Sequence, residues 1–458
     1  MTISTIDPTT GAELEVYAVD GGARVESVLE RAESGQRTWR GASFADRAEG
    51  LRAIGRELTA AREELARLIV AEMGKTIGEA RAEIDKSAGA CEHYAAHGER
   101  YLAPEPVETE WAHTYVQFPP VGVVLAIMPW NYPVWQVMRA AAPILMAGNA
   151  MVLKHASNVT GCALALAEVV KRAGVVDGLL DAVVLPGSQV APLIADRRIA
   201  AVTLTGSEGV GQSVAEACAR ELKPSVLELG GSDAFVVLAD ADLEEAARVG
   251  VRARFQNNGQ SCIAAKRFIV EEAVAEEFEE RFAAAASALV VGDPADEATQ
   301  LGPMARADLR DELADQVARG VAAGGRLLAG GGVPDGPGAF HPATVVGGVL
   351  PGTPLFREET FGPAAAVVRA RDAEHAIAMA NDSPYGLSSS LWTADVDRAR
   401  ELSGRIEAGA VFVNAMSASD ARLPFGGVKR SGWGRELGEW GIRAFTNVQS
   451  VVVAPKGE

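Results

Sequence analysis

Apolar residues recur every three or four positions from Phe44 to about Tyr101, with charged residues between them. This period matches the turn of an α-helix and gathers the apolar side chains on one face. The pattern therefore predicts amphipathic helices that pack against a core.

Beyond Pro119 the pattern changes to short apolar runs separated by helical stretches. Strands that alternate with helices predict βαβ units and a parallel sheet. The strands predicted for this first sheet are 123–128, 151–153, 182–185, 200–204 and 225–229.

A second alternation follows the glycine pair Gly230 and Gly231, which marks a predicted domain boundary. The strands predicted beyond it are 234–238, 267–270, 364–368, 387–392 and 411–414. A final strand, 446–453, is predicted to pair with 114–119. Such a protruding pair is typical of an oligomerisation segment, and an edge strand of the same subunit is the plainer alternative. We therefore predict an α/β fold with two parallel-sheet domains and a protruding β segment.

Composition narrows the class of protein. The 458 residues are 48 % apolar and 23 % charged, as in a folded globular protein of more than one domain. Lys and Arg number 43 against 61 Asp and Glu, and the net charge of -18 argues against a nucleic-acid or anionic-membrane partner. The longest apolar runs are too short to span a bilayer, and residues 1–11 lack the pattern of a signal peptide. Four cysteines without paired or metal-type spacing favour a reducing compartment, so we expect a cytoplasmic protein.

One cysteine, Cys262, follows a stretch rich in glycine and amide side chains, 255–261. A lone cysteine is most often a small buried apolar residue. The amide neighbours make a poor core environment, which favours an exposed nucleophile held on a turn. The other three cysteines lie in helical patterns and are predicted to be structural.

A thiol nucleophile needs an oxyanion stabiliser and a general base. Asn131 follows the first predicted strand, at the carboxyl end where open α/β sheets bind ligands, although an ordinary turn residue is the commoner reading. Glu228 is a carboxylate inside an apolar strand, where desolvation raises its pKa toward that of a useful base. A salt-bridged strand residue is the alternative for Glu228.

The segment 204–211 runs from a predicted strand into a helix and contains Gly206, Ser207 and Gly211. Glycines and free amides at a helix N-terminus suit a pyrophosphate. The glycine spacing departs from the usual dinucleotide fingerprint, so by itself the segment is a weak indication of a nucleotide.

Together these elements resemble the NAD(P)-dependent aldehyde dehydrogenases along almost the whole chain. The motifs stand in the family's order and at its spacings: Pro129-Trp130-Asn131, the Lys154 region, Thr205-Gly206-Ser207, Glu228-Leu229-Gly230-Gly231, Gly259-Gln260-Ser261-Cys262, Glu359-Thr360-Phe361-Gly362-Pro363 and Pro424-Phe425-Gly426-Gly427. The resemblance implies a cofactor-binding domain at 1–104 and 122–229 and a catalytic domain at 230–435. It also implies an oligomerisation segment at 105–121 and 436–458. It also implies a homodimer or a homotetramer.

The resemblance implies that Cys262 attacks the aldehyde carbon and that Asn131 and the Cys262 backbone N–H stabilise the oxyanion. The nicotinamide then accepts a hydride, and Glu228 activates the water that hydrolyses the thioester.

The resemblance also implies cofactor contacts. Lys154 and Glu359 match the family residues that hold the two riboses, Phe361 lies beside the nicotinamide, and Trp130 and Ser207 touch the cofactor.

Many NAD-specific relatives have a glutamate where this chain has Ser157. Without that carboxylate a 2'-phosphate meets no like charge. We therefore predict NADP as the cofactor, with NAD as an alternative.

Substrate choice is predicted to depend on Arg139, which lies eight residues after Asn131 in a predicted helix, with Gln136 on the same face. A surface arginine that covers apolar area is the common alternative. However, no other charge stands in 134–146, so this cation is expected to point somewhere specific.

In succinate-semialdehyde dehydrogenases of this family, an arginine at this helix position binds the distal carboxylate. The loop with Ser419 and Arg422 is similar to that of a bacterial subgroup of those enzymes, which makes both residues candidate substrate contacts.

The resemblance thus implies oxidation of succinate semialdehyde to succinate. Another small aliphatic or aromatic aldehyde is the first alternative. A catalytically silent relative is disfavoured, because every side chain that the chemistry needs is present. His93 and His97 share a helix face but lack a third ligand, so no metal site is predicted.

Overall fold

Two large sheets and their helices form the frame of the molecule, and the computed structural model describes residues 1–455. The helices are α1 (Gly22–Arg40), α2 (Phe44–Ala60), α3 (Arg62–Met73), α4 (Ile77–Tyr101), α5 (Trp135–Met146), α6 (Thr160–Arg172), α7 (Val190–Ala195), α8 (Glu208–Arg220), α9 (Leu243–Phe255), α10 (Glu272–Ser287), α11 (Ala307–Ala322), α12 (Pro354–Arg357), α13 (Ala373–Asn381), α14 (Val396–Ser403) and α15 (Gly438–Arg443). The strands are β1 (Thr2–Ile6), β2 (Glu13–Ala18), β3 (Glu105–Pro106), β4 (His113–Gln117), β5 (Val123–Met128), β6 (Ala150–His155), β7 (Leu180–Val183), β8 (Ile199–Thr205), β9 (Ser225–Glu228), β10 (Asp233–Val237), β11 (Ala265–Glu271), β12 (Arg326–Ala329), β13 (Thr344–Gly347), β14 (Ala364–Ala370), β15 (Tyr385–Gly386), β16 (Ser388–Trp392), β17 (Ala410–Val413), β18 (Val428–Lys429), β19 (Gly432–Trp433) and β20 (Gln449–Val453).

The first sheet has the strand order β19-β9-β8-β5-β6-β7, parallel except for β19. Every residue of β5 and β6 is buried, which explains their continuous apolar runs, because both faces of a parallel sheet are covered. The chain passes from β5 to β6 and β7 on one side and returns to β8 and β9 on the other. This reversal opens a crevice at the carboxyl ends of β5 and β8, where such sheets bind ligands.

The second sheet has the order β12-β13-β14-β11-β10-β16-β17, parallel except for the β12–β13 pair. Its strand β10 begins two residues after the Gly230–Gly231 pair, and β11 begins three residues after Cys262. The amide loop before β11 contacts the turn that follows β5, so the two sheets meet at the crevice.

The predicted α/β fold class with parallel-sheet domains is confirmed, and β5 begins and ends at the predicted residues. The strand predicted at 182–185 instead spans Leu180–Val183. The short strands β1, β2, β12 and β13 were not predicted. In β2 nearly every residue is exposed, so the sequence carries no buried apolar alternation there.

The three-stranded antiparallel sheet β20-β4-β3 stands apart from both large sheets. Its β20 pairs with β4 from Gln449 opposite Gln117 to Val453 opposite His113, as predicted for the final strand. The domain boundaries and the use of this sheet in oligomerisation stay predictions. Among residues 1–455, no helix combines the length and the apolar character needed to cross a membrane.

Candidate active site

Cys262 lies at the end of a loop with an unusual backbone. Asn257, Asn258 and Gly259 adopt left-handed conformations with φ of 58°, 55° and 70°. Such φ values are strained for residues other than glycine, and here buried amides hold them in place. Asn257 Nδ2 donates to Asn131 O and to Gln260 O, both at 2.9 Å. The amide-rich sequence therefore builds the turn that presents the thiol, which is partly exposed.

Two cavities meet at Cys262. One has a volume of about 360 Å³ and is bordered by α4 and α5; the other, of about 570 Å³, is bordered by the carboxyl ends of β5 and β8 and by the 357–361 segment. Cys262 and Gln136 line both. A molecule in either cavity can thus reach the same sulfur, and we refer to them as the α4 cavity and the β5 cavity.

The β5 cavity collects most of the predicted cofactor residues. Its lining includes Trp130, Gly206, Ser207, Glu359 and Phe361. The Trp130 and Phe361 rings meet edge to face, with centroids 5.7 Å apart. Gly206 and Ser207 lead into the N-terminus of α8, where free backbone N–H groups favour an anion.

Glu359 is held against the glycine pair. Its Oε1 accepts from Gly231 N at 2.9 Å, and a Cβ at Gly230 would lie only 2.3 Å from Glu359 Oε2. A side chain at position 230 would therefore displace the carboxylate, which explains the glycine there.

Three predicted cofactor residues do not line the β5 cavity. Lys154 is 8 % exposed at the end of β6, directly opposite Ile127 of β5, and burial lowers its pKa. Its ammonium has no hydrogen-bond or ion-pair partner within residues 1–455. Ser157 follows on the same edge and is partly exposed. Gly211 packs against the Leu229 side chain, so closely that a Cβ at position 211 would lie 2.5 Å from Leu229 Cδ2.

Asn131 is buried beside the thiol loop. Its Nδ2 donates to Gln260 O at 3.0 Å, and its Oδ1 has no partner among the described residues. One Nδ2 hydrogen remains for a ligand in the β5 cavity, which Asn131 lines. This arrangement suits an oxyanion donor.

Glu228, the last residue of β9, is 2 % exposed, and neither carboxylate oxygen has a hydrogen-bond partner in the described chain. Burial and then repulsion from Glu436 raise its pKa well above the ordinary range, although Arg139 lowers it. A Cβ at Gly426 would lie 2.6 Å from Glu228 Oε1, so only glycine leaves room for the carboxylate. The predicted rise in pKa by desolvation is thus present.

Burial raises the pKa of the Cys262 thiol to about 11, while Arg139 and Lys266 lower it. Lys266 was not predicted as a site residue. It is 1 % exposed, and its Nζ donates to Ser261 O at 3.0 Å and to Cys262 O at 2.8 Å. The sequence signal was a lysine inside the apolar strand β11, the same signal that singled out Glu228.

The α4 cavity contains Arg139, Gln136 and Ser419, as the substrate prediction requires. Arg139 has an internal partner, however: its Nε lies 2.5 Å from Glu436 Oε2, and its Nη2 donates to Thr205 Oγ1 at 3.1 Å. Arg422 does not line this cavity and instead pairs with Asp420 on the outside of the loop. The structure therefore brings together three of the four predicted substrate residues.

Lys86 is a further residue of the α4 cavity that sequence reasoning missed. Its Nζ donates to Ser419 Oγ at 2.7 Å and lies 4.3 Å from the centre of the Trp135 ring. On a long amphipathic helix, a lysine is indistinguishable in sequence from one on the solvent face.

The remaining cysteines, Cys91, Cys162 and Cys218, are buried in helices and unpaired. In the part of the chain that the structure describes, no three metal-ligating side chains cluster.

Known proteins resemble the chain over its whole length. The aldehyde dehydrogenase family matches residues 1–451. Succinate semialdehyde dehydrogenase [NAD(P)+] Sad of Escherichia coli (strain K12) is 51 % identical over 447 residues, which are 98 % of this chain and 97 % of that protein. Succinate-semialdehyde dehydrogenase [NADP(+)] of Mycobacterium avium (strain 104) is 48 % identical over 98 % of this chain and 96 % of its own. The crystal structure of succinic semialdehyde dehydrogenase from Streptococcus pyogenes in complex with NADP+ superposes with a TM-score of 0.96 at 35 % identity, covering 99 % of this chain and 100 % of that one.

Proposed function

The chain belongs to the aldehyde dehydrogenase family, and we propose that it oxidises succinate semialdehyde to succinate with NADP, and also NAD, as the hydride acceptor. One observation carries the proposal: the Cys262 thiol stands where the β5 cavity, with its cofactor residues, meets the α4 cavity, with its cations. The names of the two relatives and of the Streptococcus pyogenes structure support the same substrate.

The residues present fit a nicotinamide dinucleotide. Lys154 offers a buried ammonium without an internal partner to the adenosine ribose, and the α8 N-terminus offers free amides to the pyrophosphate. Glu359 faces the β5 cavity and is placed to hold the nicotinamide ribose, and Trp130 and Phe361 supply flat apolar faces. When bound there, the nicotinamide supplies a two-electron acceptor.

Each protein group then has one task. The Cys262 thiol first releases its proton to solvent, because only the thiolate is nucleophilic. The sulfur then forms a bond to the aldehyde carbon while the carbonyl π bond breaks, and Asn131 Nδ2 with the Cys262 backbone N–H donates to the oxyanion of the thiohemiacetal. Loss of a hydride converts the thiohemiacetal into a thioester. Glu228 removes a proton from water, the hydroxide attacks the thioester carbon, and the C–S bond breaks to release succinate and the thiol.

The direct test is steady-state formation of reduced cofactor by the purified protein. We expect kcat/KM for succinate semialdehyde to exceed that for butanal by at least about tenfold, since butanal lacks the carboxylate that a cation attracts. Equal values would assign the protein to neutral aldehydes and leave the dehydrogenase chemistry intact.

Cofactor choice has a separate test in Ser157→Glu. A carboxylate at this position would repel a 2'-phosphate, so kcat/KM for NADP relative to NAD should fall about tenfold or more. Ser287→Glu, on an exposed residue at the end of α10, adds the same charge elsewhere and should leave the ratio unchanged. An equal fall in both variants would attribute the effect to net charge and remove Ser157 from cofactor choice.

We also propose that the protein acts in the cytoplasm as a homodimer or homotetramer. Four unpaired cysteines suit a reducing compartment. Val452 and Val453 of β20 and Trp111 in the loop between β3 and β4 are exposed on the separate sheet β20-β4-β3, which supports assembly. Sedimentation velocity of the purified protein reports the oligomeric state.

A further inference from the structure

Lys266, near the start of β11, is a buried cation that none of the proposed reaction steps uses. Its side chain is 1 % exposed and lines neither the α4 cavity nor the β5 cavity. Burying an ammonium group is costly unless hydrogen bonds and opposite charges compensate for the lost water. The groups that surround the ammonium therefore indicate what this lysine stabilises.

Within residues 1–455, both hydrogen bonds of the Lys266 ammonium go to the turn that carries the thiol. Nζ donates to Ser261 O at 3.0 Å and to Cys262 O at 2.8 Å, and it lies 3.5 Å from Glu359 Oε1. Burial lowers the pKa of Lys266, and attraction from Glu359 and then Asp233 acts against that effect. The two carboxylates thus favour the charged form of the lysine beneath the turn.

The bond to Ser261 O acts on the peptide unit between Ser261 and Cys262. Ser261 O and the Cys262 N–H belong to one planar trans unit, in which they point in opposite directions. Ser261 O also accepts from Ala264 N at 3.1 Å, which closes a β-turn with Cys262 at its second position. The Cys262 N–H is not used by this turn, and among the described residues it has no acceptor.

The position of Lys266 sets the direction of this free N–H. Because Lys266 lines neither cavity, the N–H that points away from the bonded carbonyl faces the side on which the two cavities meet at Cys262. A charged donor holds the carbonyl more strongly than a neutral one, and it polarises the amide so that its N–H donates more strongly. An oxyanion donor is effective when it is already aimed at the place where the charge develops.

We propose that Lys266 is a positioning residue of the oxyanion site: its ammonium holds the peptide between Ser261 and Cys262 so that the Cys262 N–H, together with Asn131, donates to the oxyanion. This inference rests on the proposed function, which gives the Cys262 N–H that task. Lys266 acts through the turn and does not contact either cavity.

The test compares two reactions of the same thiol. Single-turnover rapid mixing, with enzyme in excess over succinate semialdehyde and with saturating NADP, measures the formation of reduced cofactor through the thiohemiacetal. Alkylation of Cys262 by iodoacetamide at the same pH, followed by mass spectrometry, measures the reactivity of the thiol in a reaction that forms no oxyanion. The ratio of the two rate constants therefore isolates the contribution of the oxyanion donors.

Lys266→Met keeps the length of the side chain and removes its charge and its N–H donors. The ratio should fall at least about tenfold, which is less than the loss of about 10²- to 10³-fold for a deleted oxyanion donor, because Ala264 N still holds the turn. Lys266→Gln keeps a neutral donor on a side chain one bond shorter and should lower the ratio only about threefold. This polar variant also serves as the test if methionine prevents folding.

Lys223→Met is the matched control. Lys223 Nζ also donates to two backbone carbonyls, Ile194 O and, at 2.6 Å, Asp196 O. Lys223 precedes the amino end of β9, at the edge of the first sheet opposite to the crevice. This variant loses the same kind of contact far from the thiol and should keep the wild-type ratio.

Three outcomes would overturn the role of Lys266: a wild-type ratio in the folded methionine variant, or in the glutamine variant if methionine prevents folding; equal falls of both rate constants, which would mean that the lysine acts on the thiol alone; and an equal fall of the ratio in Lys223→Met. A wild type that oxidises butanal but not succinate semialdehyde contradicts the proposed function instead. The same ratio is then measured with butanal, since its aldehyde also becomes an oxyanion. Circular dichroism confirms that each variant is folded.

Discussion

Replacing Cys262 with alanine is expected to lower kcat for aldehyde oxidation by about four orders of magnitude or more, because no covalent thioester can form. Cofactor binding should survive, because only one of the residues that line the β5 cavity changes. Steady-state assays with titration of the cofactor by fluorescence would measure both. Cys218→Ala, on a cysteine buried in α8, is the matched control and should retain activity.

The same thiol has a testable pH profile. Its pKa of about 11 means that it is protonated at neutral pH in the absence of ligands. Only the thiolate is nucleophilic, so alkylation of Cys262 by iodoacetamide should accelerate about tenfold per pH unit between pH 7 and pH 10. Mass spectrometry would locate the label, and the three buried cysteines should stay unmodified. A rate that is already constant above pH 7 would contradict the proposed protonation state.

Glu228→Gln is expected to convert continuous turnover into a burst. Glutamine keeps the shape of the side chain and loses the proton acceptor, so acylation and hydride transfer proceed while thioester hydrolysis slows about 10²- to 10⁴-fold. Rapid mixing should show one equivalent of reduced cofactor per active site and then little further formation. Intact-mass analysis should show the acylated Cys262 accumulating.

Glu271→Gln is a matched control for this variant. Glu271 ends β11, is nearly as buried, and accepts from Ala239 N, a bond that a glutamine carbonyl also makes. Glu271→Gln should turn over continuously. An unchanged steady-state rate in Glu228→Gln would remove Glu228 from the mechanism. The raised pKa of Glu228 also predicts the direction of a pH dependence. The rate of thioester hydrolysis in the wild type should rise with pH, because the carboxyl group loses its proton and can then act as a base. Glu228→Gln should lose this dependence.

Local sequence patterns predicted most of the strands of the two large sheets. The continuous apolar run 123–128 identified β5 at its observed bounds, because burial on both faces leaves no polar position to obscure it. The sequence does not predict strand β2, because nearly all its residues are exposed and no run of apolar positions marks it. The carboxylate of Glu228 stood out as a charge in an apolar strand, and the structure buries it.

The contacts of charged side chains could not be predicted from local sequence patterns. The sequence predicts that Arg139 binds a substrate carboxylate, whereas the structure pairs it with Glu436, which lies far along the chain. Lys266 contacts the backbone of Cys262, a contact that depends on how β11 leaves the thiol loop. Lys86 reaches the α4 cavity only because α4 packs along it.

The sequence by itself determined the alternation of strands and helices and the family, because periodicity and motif spacing are local properties. The same patterns single out the proposed nucleophile, base and oxyanion donor. Only the tertiary structure decided which cation of the α4 cavity has an internal carboxylate partner. How strongly a charged side chain can bind a ligand depends on whether an opposite charge lies within a few ångströms of it. Glu436, which pairs with Arg139, and Ser419, which accepts a hydrogen bond from Lys86, both come from distant parts of the chain.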